Sequence, residues 1–213
     1  SALMMAAPAM CKGLELRLTG EIASRPYIDL TLWVMGEFGA DAEWSDIDTI
    51  TVKPKAYARQ AYQIENDWSG SSYWYELLAL CDDDESKICL TGLMDGSRQG
   101  DSVVRYVFSL LGVKTSFREH VQDLPAAVEL SRHLRTIPRL DYDFVNSPDL
   151  AQTLAAGCCG MNIPFHFKGL GSLRIKETDR IEALKTELRK LGYVLESRND
   201  AELIWNGERC EAS

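Results

Sequence analysis

The chain contains, in its last third, the run Arg174-Ile175-Lys176-Glu177-Thr178-Asp179-Arg180-Ile181, in which five of eight side chains are charged. A helix is predicted to follow, because apolar residues then recur at steps of three and four: Ile181, Leu184, Leu188 and Leu191. Gly192 is a stop signal for that helix. The apolar face, projected back by four residues, reaches Glu177 and Arg180. We therefore expect both side chains to point toward packed protein or a cleft.

A second interpretation of the charged run stays open. Glu177 and Asp179 are favourable at the positive end of a helix dipole, and Glu177 with Arg180 forms an i,i+3 pair worth about 0.2–0.5 kcal/mol. These charged side chains would then only form a solvent-exposed polar surface at the start of a helix. Spacing alone does not decide between this interpretation and a functional site.

Three segments of the chain repeat one pattern, a strand that ends in Gly, an amphipathic helix that ends in Gly, and one or two further strands. The strand-ending glycines are 72 and 77 residues apart, a length typical of supersecondary modules. The predicted strands are 14–20 and 41–52 in the first segment, 88–92, 113–117 and 127–130 in the second, and 165–169, 193–196 and 202–205 in the third. The helices end at Gly39, Gly112 and Gly192.

Further helices are predicted between these segments, at residues 1–11, from Ser69 to about 81 and from Ser147 to about 157. Ser69 and Ser147 are the predicted N-caps, and Pro148 suits a first helical position. Residues 81–85 and 131–143 are predicted to be exposed connections. Alternation of helices and strands favours an α/β fold in which helices cover sheets.

Composition excludes several classes of protein. The 213 residues are 46% hydrophobic and carry a formal charge of −9, which argues against a nucleic-acid surface. No apolar run approaches the roughly 20 residues of a membrane span, and the first residues lack a signal-peptide pattern. We therefore expect a cytoplasmic protein that does not associate with a membrane. No metal-ligand spacing occurs in the histidines (120, 133, 166) or the six cysteines, which are expected to be reduced.

The charged run closely resembles a motif of the 5-enolpyruvylshikimate-3-phosphate (EPSP) synthase family. The resemblance comprises Leu173 to Ile181 with Ala183-Leu184 and Leu191-Gly192, and it extends over essentially the whole chain. Similar segments are residues 1–8, Ser24-Arg25-Pro26-Tyr27-Ile28-Asp29, 69–73 and 99–101. The loop Asn146-Ser147-Pro148-Asp149 fits less tightly.

The resemblance implies part of the enolpyruvyl transferase fold, an inside-out α/β barrel built from repeated βαβαββ modules. The family enzyme is about twice as long as this chain and has two such domains. On that template residues 1–64 are the C-terminal part of the first domain, and residues 65–213 are the first part of the second. The chain starts at Ser1 without an initiator methionine, and we interpret it as an internal piece of a longer protein.

The family transfers the enolpyruvyl group of phosphoenolpyruvate to the 5-hydroxyl of shikimate 3-phosphate and releases phosphate, a step toward chorismate and the aromatic amino acids. By resemblance, Asp149 is the carboxylate near that hydroxyl, and Glu177 exchanges a proton with the methylene carbon. Glu177 must then be protonated part of the time, which burial among apolar groups would favour. These two residues are the implied catalytic pair.

The resemblance also implies a set of substrate-binding residues. Arg180 would grip phosphoenolpyruvate, and Lys176 would bind shikimate 3-phosphate. Ser24 and Tyr27 would bind the phosphate of the latter at a helix start. Ser172 stands where the family often has Asn or His, and its hydroxyl can still form a hydrogen bond. Without the resemblance, Ser24 is an ordinary N-cap, Tyr27 a packing residue and Asp149 an acid at a helix start.

The family needs no metal or organic cofactor, and its substrates are the expected partners of a protein that is a monomer at full length. Several cationic segments of the family lie outside Ser1 to Ser213, so we predict that this chain alone is inactive. Two alternatives remain. One is the sister enzyme that transfers enolpyruvyl to UDP-N-acetylglucosamine, and the other is a non-catalytic relative that acts as a binding module.

Overall fold

The computed structural model describes residues 1–118, 127–133 and 136–213. The chain divides into two compact units. Unit 1 comprises Ser1–Ile64 with Arg98–Gly100, and unit 2 comprises Glu65–Ser97 with Asp101–Ser213. The assignment of these units to the two domains of the family stays a prediction.

Unit 1 is a small sheet covered by helices. Its elements are α1 (Ala2–Ala6), a 3-10 turn (Ala7–Ala9), β1 (Leu14–Arg17), α2 (Arg25–Glu37), β2 (Ala42–Trp44) and β3 (Thr49–Val52). The antiparallel sheet has the order β1-β3-β2. Alternate side chains of a strand face the same side, so Ile50 and Val52 of β3 are both buried, and they form a core with Met4, Ala7 and Met35.

Unit 2 contains four helices and seven strands in its described part. The helices are α3 (Trp68–Ala79), α4 (Val104–Leu110), α5 (Ala151–Gly160) and α6 (Arg180–Lys190). The strands are β4 (Lys87–Thr91), β5 (Val113–Arg118), β6 (Ala127–Arg132), β7 (Leu140–Asp143), β8 (Phe165–Lys168), β9 (Glu196–Arg198) and β10 (Glu202–Trp205). Short 3-10 turns precede three of the helices, at Gly100–Val103, Pro148–Leu150 and Gly171–Ile175.

Two sheets of unit 2 share one apolar core. The first is antiparallel with the order β4-β6-β5, and the second has the order β7-β8-β10-β9, in which only the β7–β8 pair is parallel. The largest fully buried side chains of the core are aromatic: Trp68, Tyr75, Phe108, Phe144, Phe165, Phe167 and Trp205. Helix α5 contacts both α3 and α6, and a hydrogen bond of 2.9 Å joins Ser72 of α3 to Thr153 of α5. This packing fixes the ends of α5 and α6 relative to each other.

The structure corrects three predictions about strands and helix faces. Residues 131–143 are not all connection, because β6 extends to Arg132 and Leu140–Asp143 forms β7, whose Leu140 is buried. The last hairpin uses Glu196–Arg198 as its first strand, whereas 193–196 was predicted. Leu191 is 65% exposed, because α6 ends at Lys190 and Leu191 leaves the apolar stripe.

The predicted N-caps are also corrected. Asp67, not Ser69, caps α3, and its carboxylate accepts hydrogen bonds from the backbone N–H groups of Ser69 and Gly70. Ser147 does occupy the position before Pro148, but its side chain makes no capping hydrogen bond.

Candidate active site

The charged run is held between a buried anchor and a capped helix. After β8, Gly169 turns the chain with a φ of +71°, a conformation that L side chains rarely adopt. Leu170 and Leu173 are then fully buried, which fixes the 3-10 turn that carries Ser172. Asp179 lies just before α6, and its carboxylate caps that helix by accepting hydrogen bonds from two backbone N–H groups. The intervening residues 176–178 are therefore fixed at both ends.

Arg174 supports this arrangement through contacts with Asp179 and Asp200. Its Nη1 lies 2.7 Å from an Asp179 oxygen, and its Nε donates to the Asp200 carbonyl at 3.0 Å. The sequence assigned no separate role to Arg174 and predicted only that Asp179 is favourable at the start of a helix. The structure shows that they hold the capping carboxylate in place, so the run divides into a structural pair and a remaining group of three charged residues.

The remaining group, Lys176, Glu177 and Arg180, lies next to Asp149, which belongs to a different part of the sequence. Arg180 donates from Nη1 to Asp149 Oδ1 at 2.9 Å, and Lys176 Nζ lies 3.3 Å from the same oxygen. Arg180 also donates from Nε and Nη2 to the two carboxylate oxygens of Glu177, at 2.8 and 2.9 Å. Four of the seven predicted site residues therefore form one cluster of two cations and two carboxylates, which we call the charge cluster.

The burial expected for Glu177 is not observed. Helix α6 begins at Arg180, so Glu177 lies before the helix and its side chain is 65% exposed. The hydrogen bonds from Arg180 hold the pKa of Glu177 below its ordinary value. The pKa of Arg180 is raised, first by its hydrogen bonds to Glu177. Glu177 is thus ionised and paired in this structure, while Arg180 is three-quarters buried, as expected from its stripe position.

The remaining predicted residues lie around the cluster or in unit 1. Ser172 precedes it by four residues, and its Oγ is buried without a hydrogen-bond partner among the described residues. Ser24 and Tyr27 belong to unit 1, at the start of α2. Ser24 has a φ of +56° and makes no capping hydrogen bond, so it is not the ordinary N-cap that its sequence position suggests.

A cleft of about 330 Å³ adjoins the charge cluster and includes residues that sequence reasoning did not single out. Glu177 and Arg180 line it together with Tyr73 of α3, Gln152 of α5 and the α6 residues Ala183, Leu184 and Glu187. The Gln152 Oε1 atom is buried and has no hydrogen-bond partner in the described part of the chain. Gln152 follows Asp149 by three residues, and this helical spacing is the signal that could have found it.

The described ranges hold neither a candidate metal-binding cluster nor a candidate membrane-spanning helix. Residues 1–118, 127–133 and 136–213 contain no group of three or more His, Cys, Asp or Glu side chains placed to hold a metal ion. The predicted lone His120 lies outside these ranges, and His166 pairs with Glu202 at 2.6 Å. The cysteines are free, as predicted. None of the helices in these ranges is both long and apolar enough to cross a membrane.

Comparison with known proteins identifies relatives along the whole chain. The sequence model of EPSP synthase (3-phosphoshikimate 1-carboxyvinyltransferase) matches residues 1–212. A 3-phosphoshikimate 1-carboxyvinyltransferase of Bacteroides fragilis (strain YCH46) is 51% identical over 211 residues, which are 99% of this chain and 50% of that protein. A protein of the same name from Histophilus somni (strain 2336) is 34% identical over 202 residues, 94% of this chain and 44% of that protein.

A solved structure shares the fold. The EPSP synthase of Acinetobacter baumannii superposes with a TM-score of 0.65 over 98% of this chain and 46% of that chain, at 17% sequence identity. The chain therefore spans about half the length of the relatives it matches.

The fold and the charge cluster together define an α/β protein of repeated modules, with a candidate site formed by charged residues at the start of one helix. More narrowly, the chain belongs to the EPSP synthase family and has part of the EPSP synthase fold. The resemblance first seen in the charged run is thereby confirmed.

Proposed function

We propose that the protein containing this chain transfers the enolpyruvyl group of phosphoenolpyruvate to the 5-hydroxyl of shikimate 3-phosphate and releases phosphate. The observation that carries this proposal is the meeting of Lys176, Glu177 and Arg180 with Asp149. These residues are 27 to 31 positions apart in the sequence, yet Asp149 Oδ1 contacts both cations. Membership of the family and the names of its curated relatives support the same reaction.

Each member of the cluster has a chemical task that suits its side chain. Arg180 offers a planar, forked set of N–H donors, which matches a carboxylate or a phosphate with two parallel hydrogen bonds. Lys176 supplies a compact positive charge for a second anion. Asp149 accepts the proton of the attacking hydroxyl, and Glu177 gives a proton to the methylene carbon during addition and removes one during elimination. Ser172, Ser24 and Tyr27 contribute hydrogen bonds to shikimate 3-phosphate.

The position of Asp149 supports its role as a base. Pro148 and Leu150 on either side of it are buried, so its backbone is held firmly, while its own side chain is 31% exposed. Its Oδ1 atom is also held at 3.3 Å from Lys176 Nζ and 2.9 Å from Arg180 Nη1. A hydroxyl held beside this oxygen would find an acceptor that is already in place.

Phosphate release tests the proposal directly. The assay uses shikimate 3-phosphate and phosphoenolpyruvate with a protein of the relatives' full length that carries these 213 residues. We expect turnover by that protein and a loss of about 10²–10⁴-fold in Asp149→Asn and in Glu177→Gln. We also expect no turnover by the 213 residues alone. Activity on UDP-N-acetylglucosamine in place of shikimate 3-phosphate would contradict the proposal.

A further inference from the structure

The forked edge of Arg180 is already occupied. Its Nε and Nη2 groups donate in parallel to both oxygens of Glu177, at 2.8 and 2.9 Å, and Nη1 donates to Asp149. A guanidinium binds a carboxylate or phosphate most strongly through this kind of paired contact. Any anion that is to be held by the same edge must first displace the Glu177 carboxylate.

The charge cluster is also balanced as it stands. Lys176 and Arg180 contribute two positive charges, and Asp149 and Glu177 contribute two negative charges within hydrogen-bonding or ion-pair distance. A neutral cluster attracts a multiply charged anion weakly. Attraction becomes strong only when one of the two carboxylates leaves or becomes neutral.

We propose that a bound anion exchanges with Glu177 on Arg180, and that the released Glu177 takes up a proton from solvent in the same event. The inference rests on the proposed function and deepens it, because it identifies the step that converts Glu177 into a proton donor. No covalent bond changes. The anion replaces a carboxylate on the guanidinium, and the carboxylate gains one proton from water or buffer.

Two changes favour the neutral form of Glu177 after the exchange. It loses the hydrogen bonds of Arg180, which are the main cause of its lowered pKa, and it gains a negatively charged neighbour. The groups that face it are Lys176 on its own segment, Arg180 and Glu187 on α6, Tyr73 from α3 and, beyond Arg180, Asp149 ahead of α5. Lys176 opposes the uptake, but it lies against Asp149.

The cleft beside Glu177 offers an acceptor for the new carboxyl O–H. Gln152 lines this cleft together with Glu177, and its buried Oε1 has no partner among the described residues. A buried amide oxygen without a donor is costly. A protonated Glu177 that moves along the cleft would supply that donor, whereas an ionised Glu177 would not. Gln152 is therefore inferred to be a positioning residue for the proton-carrying state.

The experiment is calorimetry of sulfate binding to the protein of the relatives' full length, in pairs of buffers with different heats of ionisation. Sulfate is the probe because it stays a dianion across the pH range of interest, so any proton uptake on binding is uptake by the protein. We expect proton uptake at about pH 5 that fades by about pH 8, since a released glutamate titrates in the acid range.

Three variants locate the uptake. Glu177→Gln should lose most of it and bind sulfate about two- to fivefold more tightly, because an exposed carboxylate no longer competes for Arg180. Gln152→Met should shift the midpoint of uptake to lower pH. The matched control is Glu187→Gln, a carboxylate of the same cleft that pairs with Lys190 and not with Arg180, and it should keep most of the uptake that Glu177→Gln loses.

Absence of sulfate binding, absence of uptake at about pH 5, or equal uptake in Glu177→Gln would each overturn the inference. The phosphate-release assay separates it from the proposed function. Turnover without Glu177-dependent proton uptake would contradict the anion exchange and support the proposed reaction. Glu177-dependent proton uptake without turnover would contradict the proposed reaction and support the anion exchange.

Discussion

Two glutamates of unit 2 lie in opposite environments, at the interface of α3 with α5 and before the start of α6. Glu76 on α3 packs close to Gly157 of α5, and its burial raises its pKa to about 7. Glu177 is 65% exposed, and the hydrogen bonds of Arg180 lower its pKa. The glutamate that burial prepares to carry a proton near neutral pH is therefore not the one that we propose as catalytic.

The contrast shows what marks a site in this molecule. Desolvation alone perturbs the pKa of Glu76, which lies near Gly157 and interacts with the buried Cys158. Burial likewise raises the pKa of Cys159 to about 12. Such shifts accompany tight packing as well as catalysis. Glu177, in contrast, stands with two cations and a second carboxylate that converge from separate segments. Convergence of charged groups, and not the size of a pKa shift, distinguishes the candidate active site.

The largest expected effect separates the two glutamates by activity. In the protein of full length, Glu177→Gln should lower turnover by about 10²–10⁴-fold, whereas Glu76→Gln should change it by less than about twofold. Phosphate release measured on both variants at equal protein concentration checks this. A Glu76→Gln variant that is as inactive as Glu177→Gln, with an unfolding midpoint no lower than that of the wild type, would contradict the comparison.

Two glycines of unit 2 should differ in their effect on stability. Gly169 has a positive φ, and a Cβ there would overlap Val145 and Asp143, so Gly169→Ala should lower the free energy of unfolding by about 2–4 kcal/mol. Gly157 is helical, and a Cβ there would lie 3.5 Å from Glu76, an ordinary contact. Gly157→Ala should be neutral or stabilising by up to about 1 kcal/mol. Urea unfolding of both variants measures the difference, and equal losses would contradict it.

The raised pKa of Glu76 predicts a pH dependence of stability. The folded state binds this proton more tightly than the unfolded state, whose ordinary value is 4.5. The free energy of unfolding should therefore fall as pH rises from about 4.5 to about 7 and then level off. Glu76→Gln should flatten this window and be more stable than the wild type above pH 7 by about 1–2 kcal/mol. Parallel pH profiles in Glu76→Gln and wild type would refute the assignment.

The smallest expected effect concerns an exposed ion pair on the same helix as Arg180. Glu187 and Lys190 are 2.7 Å apart, and their side chains are 66% and 54% exposed. Glu187→Ala should change the free energy of unfolding by no more than about 0.5 kcal/mol and leave turnover unchanged. A large loss of activity in this variant would show that the functional surface extends further along α6 than the charge cluster.

Much of the fold could be predicted from periodicity and glycines. The helices ending near Gly39 and Gly112, and most strands, follow from apolar patterns and turn signals that local sequence carries. Strand β7 could not be predicted, because only Leu140 of its four residues is buried, Tyr142 is half-buried, and its pairing with β8 is a tertiary contact. The cap by Asp67 was missed because Ser69 offered an equally good local signal.

The sequence predicted which charged residues form the charge cluster, but not how their side chains contact each other. The charged run and its resemblance supplied Lys176, Glu177 and Arg180, and Asp149 came from the resemblance alone. Sequence could not show that Arg180 would bind Glu177 and Asp149 at once, since that depends on the packing of α5 against α6. The three-residue spacing from Asp149 could have indicated Gln152. It could not show that the Gln152 Oε1 atom is buried without a partner among the described residues, because glutamine on a helix is ordinarily a surface residue.

The most direct test of the contrast is a carbon-13 NMR titration of the side-chain carboxyl groups of Glu76 and Glu177 in the same protein. The account predicts that Glu76 titrates near pH 7 and that Glu177 titrates below its ordinary value of 4.5. It further predicts that Arg180→Met raises the Glu177 value and leaves that of Glu76 unchanged. A Glu177 that titrates near neutral pH in the free protein, or is insensitive to Arg180, would contradict the account.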